Sequence, residues 1–162
     1  MRYGDVVKGL PVADAAVDGV YASHVLEPLA LEDFRLALSN TFRMLKAGGT
    51  FRLVVPNMQD LAVYYLNRIE RNDTETSSWL MRATGLGVER RPRGWKAILL
   101  AILGNGAHLW MWDELSLSDE LRRAGFVRIR RCQFGDAADA VFGLVEEADR
   151  FDGSCAMECF KP

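Results

Sequence analysis

The chain has 162 residues, 49% of them hydrophobic and 26% charged, with a formal net charge of -2. Those values describe one soluble globule able to bury a sizeable core, and exclude a disordered or fibrous chain. They give no reason to expect nucleic acid or an acidic membrane surface as a partner.

Arg2 to Val6 predicts a short opening strand, and GLPVADAAVD a turn leading into a strand over Gly19 to Ser23. From Leu31 to Lys46, Phe34, Leu38, Thr41 and Leu45 recur at helical spacing, with Glu32 and Asp33 in the first turn and Lys46 in the last. Gly48 and Gly49 then offer the left-handed conformation that ends a helix. Thr50 to Val55 is continuously apolar apart from Arg52, as in a strand covered on both faces, and Pro56 stops it. Strand, helix, glycine stop and second strand make a parallel βαβ unit.

Asn57 caps a predicted helix with Asp60 at the reciprocal position and Leu61, Tyr64, Tyr65 and Ile69 as its buried stripe. After NDTETSS come two short helical candidates, Ser78 to Ala83 and Trp95 to Leu103. A last helix runs from Asp113, its cap, to Ala124, with Leu117 and Leu121 on one face and Gly125 ending it. Phe126 to Cys132 and Ser154 to Phe160 are strands separated by a helical or irregular stretch around Ala138 to Arg150. Without repeats or low-complexity tracts, residues 1 to 162 read as a single domain.

Cys132, Cys155 and Cys159 form no paired spacing and have no nearby histidine, so buried free thiols in a reducing compartment are expected, with no metal site. The longest apolar run, Ala97 to Leu103, is far shorter than the ~20 residues of a membrane span. Without a signal peptide either, the expected location is the cytoplasm. Arg82, Arg90, Arg91 and Arg93 crowd one glycine-containing stretch, which suits a solvated loop or a clamp for phosphate or carboxylate.

DGVYASHVLEPL, MLKAGG and TFRLVVPN together resemble the middle of a class I S-adenosylmethionine-dependent methyltransferase of the type 11 kind. There, a strand ending in S-x-V-L-E-H precedes a helix and R-x-L-K-P-G-G. GLPVADAAVD resembles the segment L-P-F-x-D-x-x-F-D of the same enzymes. AHLWMWDELSLSDELRRAGF resembles the stretch after their fifth strand, and the ending MECFKP their last, antiparallel strand. The departures are Pro28 in place of histidine, Ala47 in place of proline, and no E/D-x-G-x-G loop before Asp18. The resemblance therefore implies an α/β fold: a Rossmann-like class I methyltransferase sheet, N-terminally truncated, with a helical insertion and a C-terminal antiparallel hairpin. Family strand order is 3-2-1-4-5-7-6, so Gly19 to Ser23 becomes an edge that either Arg2 to Val6 or a second chain covers, and self-association through this edge or the Trp95–Trp112 insertion, or a partner chain, is expected.

Carried onto this sequence, the resemblance places Asp5 and Val6 beside the adenine of S-adenosylmethionine; Asp5 reads equally as a turn cap. Ala22 and Ser23 lie at the carboxyl end of the central strand, beside the methionine part of that cofactor. His24 follows them as an orienting group or base, or as a packed, hydrogen-bonded histidine. Glu27 fits a cap or salt bridge better than a catalytic group. His108 and Trp110, with Trp112, would wall a substrate pocket, or the tryptophans would anchor a lid or a subunit contact.

Two functions follow. One is methyl transfer to a small molecule, lipid or saccharide, with S-adenosylmethionine as cofactor if its site is complete. The other is a non-catalytic interaction module, or a methyltransferase remnant that no longer binds cofactor.

Overall fold

The apolar run after Gly49 forms the centre of a four-stranded sheet in the computed structural model, which describes residues 4–87, 89 and 108–162. The elements in chain order are β1 (Val17–Ser23), α1 (Leu31–Met44), β2 (Leu45–Pro56), α2 (Met58–Glu70), α3 (Thr76–Ala83), α4 (Glu114–Arg123), β3 (Val127–Arg131) and β4 (Ser154–Phe160). Two short 3-10 turns, Ala140–Leu144 and Ala148–Arg150, lie between β3 and β4. Sheet order is β1-β2-β4-β3, with β1 parallel to β2 and β4 antiparallel to both of its neighbours. The expected βαβ unit and closing antiparallel pair are therefore present, and β1 is an edge among the described residues.

Each face of the sheet has its own cover. Phe51, Leu53 and Val55 of β2 and Cys155, Met157 and Cys159 of β4 pack against Phe34 and Leu38 of α1 and Leu117 and Leu121 of α4. Both helices present an amphipathic stripe to this face, as their spacing required. On the other face Val54, Ala156 and Cys132 meet Tyr21 and Phe151, and the linker between β3 and β4 lies over them.

Arg52 is on that second face with no exposed surface. Its guanidinium pairs with Glu146 and with Glu158 at 3.2 Å, both carboxylates fully buried, and with Asp136 at 3.0 Å. Arg130 adds a second cation on Glu158 at 2.7 Å. One arginine thereby ties the linker to two strands.

Several sequence expectations are corrected. Residues 4–8 form no strand: Asp5 bridges to Gly9 around a turn, and Asn40 of α1 donates to the Val6 and Val7 carbonyls at 2.8 and 2.9 Å. A chain reversal within five residues leaves too little extended backbone to pair with a sheet. Gly48 does take a left-handed φ of 77°, but inside β2: α1 stops at Met44, and Lys46 to Gly49 bulge between the Val17–Leu45 and Gly19–Thr50 pairings. Asn57 caps α2 by accepting from Gln59 N at 3.1 Å, yet α2 buries no residue, and Tyr64 and Ile69 are each 49% exposed. α2 packs on α3 instead of the sheet, through a Tyr64–Trp79 ring pair at 4.6 Å with Arg68 5.3 Å from the Trp79 ring. The expected helix over Trp95 to Leu103, and Arg90, Arg91 and Arg93, lie outside the described residues. No helix among the described residues is long and apolar enough to cross a membrane.

Two substitutions test this packing by denaturant unfolding. Leu38→Ala should cost about 2–5 kcal/mol through lost contact and a residual cavity; a loss below ~0.5 kcal/mol would mean that α1 turns another face to the sheet. Arg52→Met, which leaves buried Glu146 without its cation while Arg130 still pairs with Glu158, should cost roughly 3–5 kcal/mol; an unchanged midpoint would show that the ionic cluster does not hold the linker.

Candidate functional site

In open α/β sheets ligands bind outside the carboxyl ends of parallel strands. Here that edge is made by Ser23 of β1 and Pro56 of β2, and the chain leaves β1 through an uncommon conformation. His24 has φ 51°, the left-handed region that costs a residue with a Cβ about 1 kcal/mol or more, while its N–H still donates to Val54 O at 2.9 Å.

Three groups hold the strained histidine. His24 Nε2–H donates to the Arg150 carbonyl at 2.9 Å, Ser154 Oγ lies 3.4 Å from the same nitrogen, and Glu27 Oε1 lies 3.7 Å from Nδ1. The packed, hydrogen-bonded reading of His24 therefore describes its ring, since Nε2 is committed to a backbone carbonyl. Any proton handling would fall to Nδ1, which faces a carboxylate.

Glu27 is only 4% exposed, and its Oε2 has no hydrogen-bond partner among the described residues. Its carbonyl accepts from Leu109 N at 2.9 Å and Trp110 N at 3.3 Å, which straps residues 108–112 across the start of the β1–α1 connection. The strap continues through Trp112, whose carbonyl accepts from Met58 N at 2.8 Å and whose backbone bridges to Asn57 at the end of β2. Trp112 is core, with its ring 4.4 Å from that of Phe34, so it does not line an open pocket. Trp110, 6.1 Å from Trp112 between ring centroids, is 42% exposed. His108 packs beside Gly85, with its Nδ1 buried and unpartnered among the described residues.

The structure brings Ser23, His24, Glu27 and residues 108–112 to one edge and leaves Asp5 and Val6 elsewhere. Asn40, which holds the Asp5–Gly9 turn, is in the C-terminal half of α1, toward the opposite edge of the sheet. Asp5 accepts from Val7 N at 2.9 Å, as a turn cap does. Ser23 Oγ is buried beside the Tyr21 hydroxyl, on the same face of β1, and Ala22 packs toward the core. Sequence reasoning missed the burial of Glu27 and its bond to the strap; the only signal was a charged residue inside the apolar run VLEPL.

Cysteine chemistry plays no part at this edge. All three thiols are free and buried, and burial pushes Cys132 up to about 12, Cys155 up to about 11 and Cys159 upward as well. Thiols held protonated in this way are poor nucleophiles. Among the described residues no three His, Cys, Asp or Glu side chains gather as a metal site.

His24→Gly and His24→Ala, compared by denaturant unfolding, test the strain. Both lose the ring contacts, but only glycine relieves the left-handed backbone, so the glycine variant should be the more stable by roughly 1 kcal/mol. Glycine proving the less stable would mean the backbone there is unstrained.

Comparison with known proteins gives a consistent answer. The methyltransferase domain family matches residues 1–53, which run from the opening turn into β2. No curated protein is significantly similar to the sequence. A SAM-dependent methyltransferase from Archaeoglobus fulgidus shares the fold with a TM-score of 0.53 at 16% identity, covering 98% of this chain and 66% of that one. The complex of the Haloferax volcanii Trm112 methyltransferase activator with a proposed methyltransferase gives 0.52 at 17% identity, covering 98% and 60%. PigF with SAH gives 0.50 at 18%, covering 98% and 34%. The chain thus spans about two thirds or less of the length of these structures.

Proposed function

From a chain with the fold of the class I S-adenosylmethionine-dependent methyltransferases, we propose a protein that transfers the methyl group of S-adenosylmethionine to a small molecule, lipid or saccharide. The observation carrying this reading is the family match that ends in β2 and so includes the strained Ser23–His24 corner. The residues present there suit the group. Glu27 Oε2 is a buried polar atom without a partner among the described residues, which favours a polar ligand. When bound, the cofactor supplies an electrophilic methyl on a sulfonium. The chain's own part is to seat the ligand at Ala22 and Ser23, fix the corner through His24, and exclude water with residues 108–112. His24 acts here as a positioning residue, since its Nε2 is occupied. The three buried thiols suit a reducing cytoplasm.

A second reading is favoured by the β1 edge. A groove of about 490 Å³ runs beside it, lined by Val17, Gly19, Tyr21, Val141, Phe142 and Val145, and Val141, Leu144 and Val145 are exposed. Open strand backbone beside apolar surface recruits another strand. On this reading the chain is an interaction module whose edge pairs with a second copy or a partner chain, and any cofactor site is completed by that contact.

Calorimetric titration of S-adenosylmethionine, with light scattering on the same sample, separates the two. The methyltransferase reading expects binding that Ser23→Trp abolishes in a folded variant. Affinity unchanged in that variant would remove the proposed site; no binding by a self-associated wild-type chain would favour the interaction module.

A further inference from the structure

We infer that the cavity between the ends of β3 and β4 and the start of α2 is a saccharide subsite, which makes the acceptor of the proposed methyl transfer a pyranose. The inference rests on the methyltransferase reading for that role alone; the cavity stands without it. Its volume is about 310 Å³, near the lower end of small-ligand pockets at roughly 300–1,000 Å³, and its lining includes Asp60, Arg131, Gln133, Phe134, Asp152 and Ser154. None of these is among the residues proposed to seat the cofactor. Ser154 Oγ nevertheless lies 3.4 Å from His24 Nε2, so the cavity abuts the strained Ser23–His24 corner. Its wall is held from behind: Arg52 donates to the Gln133 carbonyl at 2.5 Å, and Asn57 N–H donates to the Gly153 carbonyl at 3.1 Å.

The hydrogen-bonding character of that wall selects the ligand. Asp60 and Asp152 only accept, and neither is in an ion pair among the described residues. Arg131 only donates, and Glu114 at 3.4 Å engages one end of its guanidinium. The side chains of Gln133 and Ser154 do both. An ammonium ligand would only donate and would meet Arg131 as a like charge, whereas a phosphate or carboxylate would only accept and would meet two like charges. Hydroxyl groups donate and accept at once, so a neutral polyol satisfies the whole wall. Phe134 supplies the apolar part of such a site. It is 51% exposed and stands edge-on to Phe151, with ring centroids 5.9 Å apart. Its electron-rich face is suited to the C–H side of a sugar ring.

The test titrates the methyl glycosides of glucose, galactose and mannose into the whole chain while following the backbone amides of Gly153 and Ser154 and the side-chain amide of Gln133. At least one glycoside should shift these resonances and bind about tenfold or more tightly than 2-(hydroxymethyl)tetrahydropyran, the same ring with a single hydroxyl, and than benzylamine. No shift at these groups with any of the three, or the amine or the stripped ring binding as tightly as the best glycoside, would overturn the inference without need of a variant. Asp152→Ala and Phe134→Ala change exposed side chains and should each weaken the best glycoside about fivefold or more; a folded pair with unchanged affinity would also overturn it. The octyl counterpart of that glycoside, kept below its micelle concentration, identifies the source: tighter binding than the methyl form assigns a glycolipid headgroup, and equal binding a free saccharide. Because no probe requires cofactor, failure of S-adenosylmethionine binding would leave a positive result standing, and S-adenosylmethionine binding without glycoside binding would remove this inference alone.

Discussion

Arg52 lies without exposed surface in the middle of the central strand, and a buried guanidinium constrains everything around it. It needs carboxylates at fixed places, which Glu158 supplies from the neighbouring strand and Glu146 and Asp136 from the linker. Removing Arg52 would leave buried Glu146 without a cation, so strand, hairpin and linker are specified together. The opposite face of the same strand is wholly apolar and carries α1 and α4. A single strand thus joins a hydrophobic layer to an ionic one, and its carboxyl end is held firmly enough to support strain next door.

That strain is at His24. Its left-handed backbone turns the chain out of β1, and its ring is tied to Arg150 and Ser154, at the end of the linker that Arg52 anchors and the start of β4. The ionic face of the sheet and the candidate site are therefore physically continuous. Glu27 is buried in the connection that follows, and the strap from residue 108 to 112 closes over its carbonyl and reaches the end of β2. Position, strain and unpartnered polar atoms coincide at the edge where parallel sheets bind ligands. This coincidence, rather than any single side chain, supports the functional reading.

Much of this was legible in the sequence because local physics and tertiary structure agree. Phe34 and Leu38, Leu117 and Leu121, the Asp113 cap and the strand over Ser154 to Phe160 are all where periodicity and capping chemistry place them. The failures share a cause. Tyr64 and Ile69 lie at core-like spacing, but α2 meets α3 rather than the sheet, and spacing alone cannot name the partner of an apolar stripe. Gly48 has the expected φ and serves a strand bulge, since a left-handed residue suits either role. Arg52 was visible as an exception in an apolar run; its partners, more than 80 residues away in sequence, were not. At the site, motif resemblance led to Ser23 and His24, whereas Asp5 and Val6 required a strand that their turn does not form.

The claim at the centre of this account is that the carboxyl edge of β1 and β2 holds the methyl-donor cofactor. Backbone amide chemical-shift mapping with S-adenosylhomocysteine tests it most directly, residue by residue. The account expects the largest changes at Ala22, Ser23, His24 and Glu27, with Asp5 to Lys8 and the outer surfaces of α1 and α4 unaffected. Changes confined to the Asp5–Gly9 turn or to the helical face, or none at saturating ligand, would contradict it.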